Sequence, residues 1–435
     1  MPTPPRLIVV ADDLTGAADC GAVCAAAGLE TIVALGDAAR ARGLSADVVA
    51  FDAETRHLAS QAAAAATRDA IRALCTRDVR VLYKKIDSTL RGNFAVEIAA
   101  ARTAWSGSAG PALAVVAPAS AATGRTTRDG RMYLRGVPLE ESEIWRNEGM
   151  HGVANLPAML RESAGLRTEL IGLETVRAGA EPLTAALAGH AAHGVDAVAC
   201  DAETDDDLRA LAFAASRLTT PVLLAGSAGL MRHVPAAYDL AKATIPNRTE
   251  TISIRATAAR HSPLLFVVGS RSSVSREQLR LLAEEKGMRS FELAPAMLLG
   301  GAGSDAWQEN ARLIDAAWRE DRDVAVTIGL GTQVDLRESG PLSQALGAFL
   351  QPWLEHVGGI FCTGGDTAKA LLAAAGAVGI RLTGEVEPGV ACGTVEGARP
   401  LPVVLKPGAF GSPQALVRSR AVLHRLAAAQ ASPGP

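Results

Sequence analysis

The sequence predicts an α/β protein of two domains, each with a mostly parallel sheet flanked by helices. Three observations carry that expectation. Short β-branched runs alternate with Ala/Leu-rich stretches of helical length, the pattern of doubly wound parallel sheets. The alternation stops once, between residues 242 and 263, and then resumes. The chain of 435 residues also exceeds what one hydrophobic core usually serves.

The first series begins with Leu7–Val10, which runs through Ala11-Asp12-Asp13-Leu14-Thr15-Gly16 into a helix over Ala17–Ala27. Val48–Phe51 reads as a strand followed by Glu54-Thr55-Arg56. Val79–Ile86 leads through Asp87–Gly92 to a helix over Phe94–Ala101. Leu113–Ala117 ends at Pro118, Ala197–Cys200 at Asp201, and Val222–Leu224 at Gly226-Ser227. Asp205-Asp206-Asp207 reads as the acidic start of a helix, where negative charge meets the positive end of the helix dipole. The stretch Gly124–Gly149 fits neither period and is expected to be a long functional or mobile loop.

Residues 242–263 carry Pro246-Asn247 and no period, so they are assigned as a linker between domains over 1–241 and 264–435. In the second series, Leu264–Val268 leads through Gly269–Ser273 to a helix over Arg276–Lys286. Val324–Ile328 ends at Gly329. Ile360–Cys362 leads through Thr363–Thr367 to a helix over Ala368–Ala374, and Val403–Leu405 to Lys406–Gly408. The tail Ala427–Pro435 is expected to fray.

Composition narrows the function. Hydrophobic content of 49% with 20% charged residues describes a folded globular chain. A net charge of -3 gives no sign of the basic face that nucleic acid requires. No apolar run is long enough for a signal or a membrane span, so the cytoplasm is the expected location. The six cysteines contain no CxxC pair and imply no disulfide framework; Cys20 and Cys24 read as small core residues. His190 and His193 have no neighbouring acid or Cys to complete a zinc set.

Ligands of open α/β sheets bind beyond the carboxyl ends of the strands, which directs attention to the turns. One acid after the first strand is explained as a helix cap; Asp12 and Asp13 in succession need more. A carboxylate there can accept a proton from a hydroxyl or help to hold Mg²⁺. The cluster Lys84-Lys85-Ile86-Asp87-Ser88-Thr89-Leu90-Arg91-Gly92 suits a polyhydroxylated acid, because Arg grips carboxylates as a planar fork and Lys adds a mobile charge. Arg56 is placed to join it. Cys362-Thr363-Gly364-Gly365-Asp366-Thr367 offers backbone N–H groups at a helix start to a phosphate, with Asp366 a second candidate base. Gly269-Ser270 and Lys406-Pro407-Gly408 are further turns of the same kind, and the three converging would make a nucleotide site. No G-x-x-x-x-G-K-[ST] occurs, which excludes a standard P-loop, and no Ser lies in G-x-S-x-G.

Taken in order, these motifs resemble the four-carbon acid sugar kinase family. They are Ala11–Ala17, Lys85–Asn93, Gly124-Arg125-Thr126 with Gly130, Pro138-Leu139, Gly226–Leu230, Gly269-Ser270, Gly364–Ala368, and Lys406-Pro407-Gly408 with Phe410-Gly411. The resemblance implies an N-terminal domain that binds the acid, a C-terminal domain that binds ATP, and an active site in the cleft between them. It implies phosphorylation of the terminal hydroxyl of threonate, erythronate or a 3-oxo-tetronate, with Mg²⁺ and no dedicated protein metal cage. By the same resemblance Asp12 or Asp13 with Arg56, Lys85, Asp87, Ser88, Thr89 and Arg91 face the acid. Ser270, Gly364, Gly365, Asp366, Thr367, Lys406 and Gly408 contact ATP. It leaves a homodimer open. One departure bears on substrate identity: after Pro138-Leu139 the family tends to show Thr and then Asp-Pro, and here Glu140-Glu141-Ser142 stands instead. Two other classes remain as expectations to test, a hydrolase built on the paired acids and a non-catalytic sensor of sugar acids.

Overall fold

All five residues of Leu7–Ala11 are buried, and a strand with no solvated side needs cover on both faces. The computed structural model, which describes residues 4–106, 111–240, 262–270, 272–329 and 339–431, supplies that cover in each of two units, Met1–Ile245 and Pro246–Pro435. The expected linker, 242–263, falls outside the described residues except for its last two.

The first unit is built on strands β1 (Leu7–Ala11), β2 (Thr31–Ala34), β3 (Val48–Asp52), β4 (Val81–Lys85) and β5 (Leu113–Ala117). After an excursion (β6, Arg125–Arg128; β7, Arg131–Leu134; β8, Val137–Pro138), β9 (Thr168–Ile171), β10 (Ala197–Cys200) and β11 (Val222–Gly226) complete the sheet. The order is β2-β3-β1-β4-β11-β5-β10-β9, with parallel pairing throughout. Ile8, Val10, Val49 and Leu82 share one core with Ile71 and Leu74 of helix Ser60–Leu74 and Ile98 of helix Phe94–Trp105. Helix Leu14–Ala26, which follows β1, gives no residue to that core, and the chain leaves β1 toward β2 on one side while β4 pairs with β1 on the other. The gap between β1 and β4 is therefore a switch point of the sheet.

Pleating separates the two lysines that the sequence groups together. Lys84 turns to the side of helix Phe94–Trp105, where its Nζ lies 2.9 Å from Glu97 Oε2 and donates to Lys85 O at 3.1 Å; both side chains are fully buried. Lys85 turns the other way, toward Gly16. Lys84 is thus a core residue of the switch point.

The stretch Gly124–Gly149 corrects the expectation of a loop. It forms the antiparallel meander β6-β7-β8, then a helix at Glu143–Asn147. The signals were the two-residue turns Asp129-Gly130 and Arg135-Gly136, in which all four residues have φ between 51° and 82°. That is the backbone a tight hairpin demands. The meander is docked over the end of β10, with Gly130 N donating to Asp201 Oδ1 at 3.0 Å and Ala202 N to Thr127 Oγ1 at 2.8 Å. The acidic run behaves as expected: Asp205–Ser216 is a helix, capped reciprocally by Thr204 and Asp207.

In the second unit, β12 (Leu264–Val268), β13 (Met288–Leu293), β14 (Asp323–Ile328), β15 (Gly359–Thr363), β16 (Ala377–Glu387), β17 (Val390–Gly397) and β18 (Leu401–Lys406) are ordered β13-β14-β12-β15-β18-β17-β16. Pairing is parallel as far as β18, then antiparallel through β17 and β16. The hairpin β16-β17 was missed because its glycines break the strand signal. They are required there: a Cβ on Gly393 would sit 2.3 Å from Arg381 O. Strand β13 was missed because, as an edge strand, it exposes Arg289, Ser290 and Glu292. Of the tail expected to fray, Ala427–Ala431 is helical, and residues 432–435 lie outside the described residues. Helix Ala415–Ala431 continues past Ala427 because Leu416 and Leu423 are buried in the core and Leu426 packs against it. No helix among the described residues is long and apolar enough to cross a membrane.

Asp323 fastens that helix to the sheet. Its Oδ2 accepts from Arg420 Nε at 2.6 Å and His424 Nε2 at 2.8 Å, while Oδ1 accepts from Leu264 N at 2.8 Å. Burial alone would raise the Asp323 pKa, but His424, Leu264 and Arg420 together hold it below 3.8. A depressed carboxyl stabilises the fold above its unfolded pKa and loses that contribution as pH falls through the folded one. Asp323→Asn is expected to cost about 1–3 kcal/mol at pH 7. In denaturant titrations the carboxylate's share of the deficit should shrink as pH falls below about 4. For the buried pair, Lys84→Met should cost about 3–5 kcal/mol by stranding Glu97, and Lys84→Met/Glu97→Leu should recover most of it; equal losses in both variants would show that the charge pair is not the issue.

Candidate functional site

In the first unit, the turns after β1, β3 and β4 meet at the switch point. Asp12 is buried and Asp13 is the extended N-cap residue of helix Leu14–Ala26. Asp13 Oδ1 accepts from Gly16 N at 2.8 Å, and its Oδ2 from Thr15 Oγ1 at 2.7 Å. Arg56 spans both acids, with Nε 2.7 Å from Asp12 Oδ2 and Nη1 2.7 Å from Asp13 Oδ2. The loop bearing Arg56 is held by Thr55 N and Arg56 N, which donate to Asp12 O, and by Asn93 Nδ2, which donates to Thr55 O at 3.1 Å. The β4 turn folds around Asp87. Arg91 Nε donates to Asp87 Oδ2 at 2.6 Å and Nη2 to Oδ1 at 3.2 Å, and Thr89 Oγ1 bonds the same carboxylate. Ser88 is buried in this turn. Glu54 and Leu90, in the turns that carry Arg56 and Arg91, adopt φ of 54° and 56°, strained for residues with a Cβ.

The charges hold one another ionised. Burial would raise Asp13, but Arg56 and Lys85 with the Thr15 and Gly16 bonds draw it below 3.8. Burial likewise opposes the charge on Asp87, and Arg91 and Arg56 overcome it, leaving the carboxyl well below its ordinary range. Desolvation would lower Lys85, yet Asp12, Cys20, Asp13 and Asp19 raise it, so the ammonium is secure. Lys85 Nζ makes no hydrogen bond to a described residue, and a Cβ on Gly16 would lie 2.8 Å from it. Asp12 Oδ1 is the other open valence: it is buried with no hydrogen-bond partner among the described residues. Leaving such an atom unsatisfied costs about 1–3 kcal/mol, which a ligand hydroxyl would return.

Sequence reasoning assigned no chemistry to Arg125, Glu148 or Asp19. Arg125 opens β6, is buried, and feels Asp87, Arg91 and Asp19; burial brings its pKa down to about 10. Glu148 meets Arg91 Nη1 at 3.1 Å. Arg125 sat within a recognised motif, but its placement depends on the meander, and the stretch read as a loop.

In the second unit the three Gly-bearing turns do converge. Val268, Thr363 and Lys406 end β12, β15 and β18 in register. Gly269 N donates to Thr363 O and Gly364 N to Lys406 O. The packing leaves no room for side chains: a Cβ on Gly269 would be 2.0 Å from Thr367 Oγ1, and one on Gly408 would be 2.3 Å from Ser270 Oγ. Gly364, at φ 97°, leads into helix Gly365–Ala374, whose first turn has no side-chain cap. Its N–H groups are therefore available to an anion. Asp366 is exposed in that first turn, and Thr367 is buried with its Oγ1 3.4 Å from Ser343 Oγ. Lys406 is placed differently from the other candidates. It is fully buried beneath the turn, its Nζ directed at the carbonyl oxygens of Pro407, Gly408 and Phe410. Arg271, within the Gly269–Ser273 turn, lies outside the described residues. Among the described residues no group of three His, Cys, Asp or Glu side chains could hold a metal ion.

Comparison with known proteins matches the two units to two families. Residues 7–234 match the sugar-binding N-terminal domain family, and 265–416 the nucleotide-binding C-terminal domain family. A D-threonate kinase of Cupriavidus necator is 43% identical over 94% of this chain and 96% of its own. A D-threonate kinase of Bordetella bronchiseptica is 34% identical, covering 95% and 96%, and a D-erythronate kinase of Heliobacterium modesticaldum is 28% identical, covering 94% and 95%. A solved Haemophilus influenzae structure, 20% identical, shares the fold with a TM-score of 0.70 over 96% of this chain and 100% of its own.

If the glycine turns receive the nucleotide, Gly408→Ala should weaken ATP binding at least about tenfold, near 1.4 kcal/mol, by driving Ser270 aside. Gly365→Val should do the same by blocking the helix start. Equilibrium dialysis with the folded variants checks both, and unchanged affinity would remove these turns from the site.

Proposed function

From the premise that this chain belongs to the four-carbon acid sugar kinase family, we propose that it transfers the γ-phosphate of ATP to the terminal hydroxyl of D-threonate. Kinase activity on a four-carbon acid follows from the family. The choice of D-threonate is supported by the relatives at 43% and 34% identity, both D-threonate kinases.

The observation that carries the mechanism is the open Oδ1 of Asp12. Asp13 is a poor base: its two oxygens accept from Gly16, Thr15 and Arg56, and its pKa is depressed. Asp12 has one oxygen fixed by Arg56 and the other free to accept the proton of a substrate hydroxyl. Lys85, with an ammonium not tied to an acceptor, and Arg125 are the cations we assign to the substrate carboxylate. Arg56 and Arg91 are largely engaged by Asp12, Asp13, Asp87 and Glu148, so they position the acids more than they grip the ligand. In the second unit, the N-terminus of helix Gly365–Ala374 and the Gly269-Ser270 and Gly408 turns are assigned to the phosphates. Mg²⁺ ordinarily binds through phosphate oxygens and one or two carboxylates, neutralising the charge that develops in transfer, and exposed Asp366 is the carboxylate of this unit suited to meet it. Catalysis of this kind rests on positioning and charge neutralisation.

An ATP-consumption screen across D- and L-threonate, D- and L-erythronate and the 3-oxo acids should give its highest kcat/KM with D-threonate. ATP consumption that ignores the acid would favour a hydrolase, and binding without turnover a sensor. Asp12→Asn should lower kcat about 10²-fold or more with the KM for ATP retained. Asp13→Asn should chiefly disturb acid binding through Arg56, and Asp366→Asn the metal dependence. Full kcat in Asp12→Asn would sink the assignment of the base.

A further inference from the structure

The loop after β18 shows its carbonyl groups to the interior. Lys406 Nζ donates to Pro407 O at 3.1 Å, Gly408 O at 2.8 Å and Phe410 O at 3.1 Å. Helix Ser273–Ala283 reinforces this from the same side. Ser275 Oγ donates to Gly408 O at 2.7 Å, and Gln278 Nε2 donates to Phe410 O at 3.0 Å and Ser412 O at 2.8 Å. Ser272 Oγ, at the cap of that helix, donates to Gly408 O at 3.0 Å. Ser275 and Gln278 have no exposed surface, so neither can reach a ligand.

A trans peptide fixes its N–H opposite its C=O, and the described chain contains no cis bond. Turning the carbonyls of Pro407, Gly408 and Phe410 inward therefore turns the N–H groups of Gly408, Ala409 and Gly411 outward. None of these three amides donates to a described residue. The remaining amide of the loop, Phe410 N, closes the turn on Pro407 O at 3.2 Å. Successive outward N–H groups form a concavity suited to an anion.

We infer that Lys406, Ser275 and Gln278 are positioning residues for the nucleotide: from beneath the loop they fix its peptide planes so that the amides of Gly408, Ala409 and Gly411 face a phosphate. This rests on the reading of the second unit as the ATP site. It moves Lys406 from a ligand to the buried cation that holds the ligating backbone. Burial presses on the charge of Lys406, bringing its pKa down to about 7, against the attraction of the Glu387 carboxylate, which raises it.

The test compares Ser275→Ala, Gln278→Met and Lys406→Met in the full-length protein, by ATP dissociation constant, KM for each substrate, kcat and melting temperature. The expected result is an ATP Kd and KM raised about fivefold or more, with the acid KM unchanged and kcat at saturating ATP within about twofold. A lowered melting temperature with ATP affinity kept would show a merely structural role and overturn the inference. If Lys406→Met does not fold, the Ser275 and Gln278 variants carry the decision, since each removes only hydrogen bonds to the loop. Gly408→Ala separates the two readings. Weaker ATP binding in Gly408→Ala but not in the clamp variants refutes the clamp alone; no effect in any of them refutes the nucleotide assignment itself.

Discussion

A parallel strand delivers its following turn to the same edge of the sheet as its neighbour does, and both units of this chain depend on that constraint. In the first, it brings Asp12, Arg56 and Lys85 together from three strands whose sequence positions span more than seventy residues. In the second, it brings Gly269, Gly364 and Lys406 level from strands as far apart as β12 and β18. Parallel strands must be covered on both faces, so the interior is apolar and the polar groups accumulate where the strands stop.

Accumulating them creates an electrostatic problem, because these turns are buried. The first unit solves it by alternation of sign. Arg56 lies between two aspartates and Arg91 grips Asp87. At Asp13, Arg56 and Asp87 the opposite charges stabilise the ionised form more strongly than burial opposes it. Among the described groups of these turns, Asp12 Oδ1 has no hydrogen-bond partner and Lys85 Nζ makes no hydrogen bond. An acceptor and a cation are what a hydroxy acid requires. The second unit relies instead on backbone N–H groups, over a buried lysine and beside the exposed Asp366. That arrangement suits a polyanion, which brings its own charge.

The strands at the centres of the sheets were legible as apolar runs, and the turns after them as motifs, because burial on both faces removes the ambiguity of alternation. Leu113–Ala117, Ala197–Cys200 and Leu264–Val268 have the bounds expected of them. Edge strands such as Met288–Leu293 were not legible, since half of their residues face water. The Gly124–Gly149 meander was legible in principle through Asp129-Gly130 and Arg135-Gly136, but short strands rich in Arg and Thr hid the period. Missing the meander meant missing Arg125. The sequence grouping of Lys84 with Lys85 illustrates a different limit. Composition sees two cations at one strand end, and only the period of two places them on opposite faces, one with Glu97 in the core and one beside the paired aspartates.

The same period-level reasoning separates Asp12 from Asp13. A residue that caps a helix must give its carboxylate to the helix amides, and Asp13 does so through Gly16 while also taking Thr15 and Arg56. Its capacity is spent on building the turn. Asp12, one residue earlier, cannot reach those amides, and its backbone oxygen instead anchors the loop of Arg56. That loop returns the guanidinium to one oxygen of Asp12 and leaves the other bare. Two identical side chains in succession thus acquire different chemistry from the position of the helix start alone. A cap fixes the geometry, and the residue before it keeps an oxygen without a hydrogen-bond partner among the described residues.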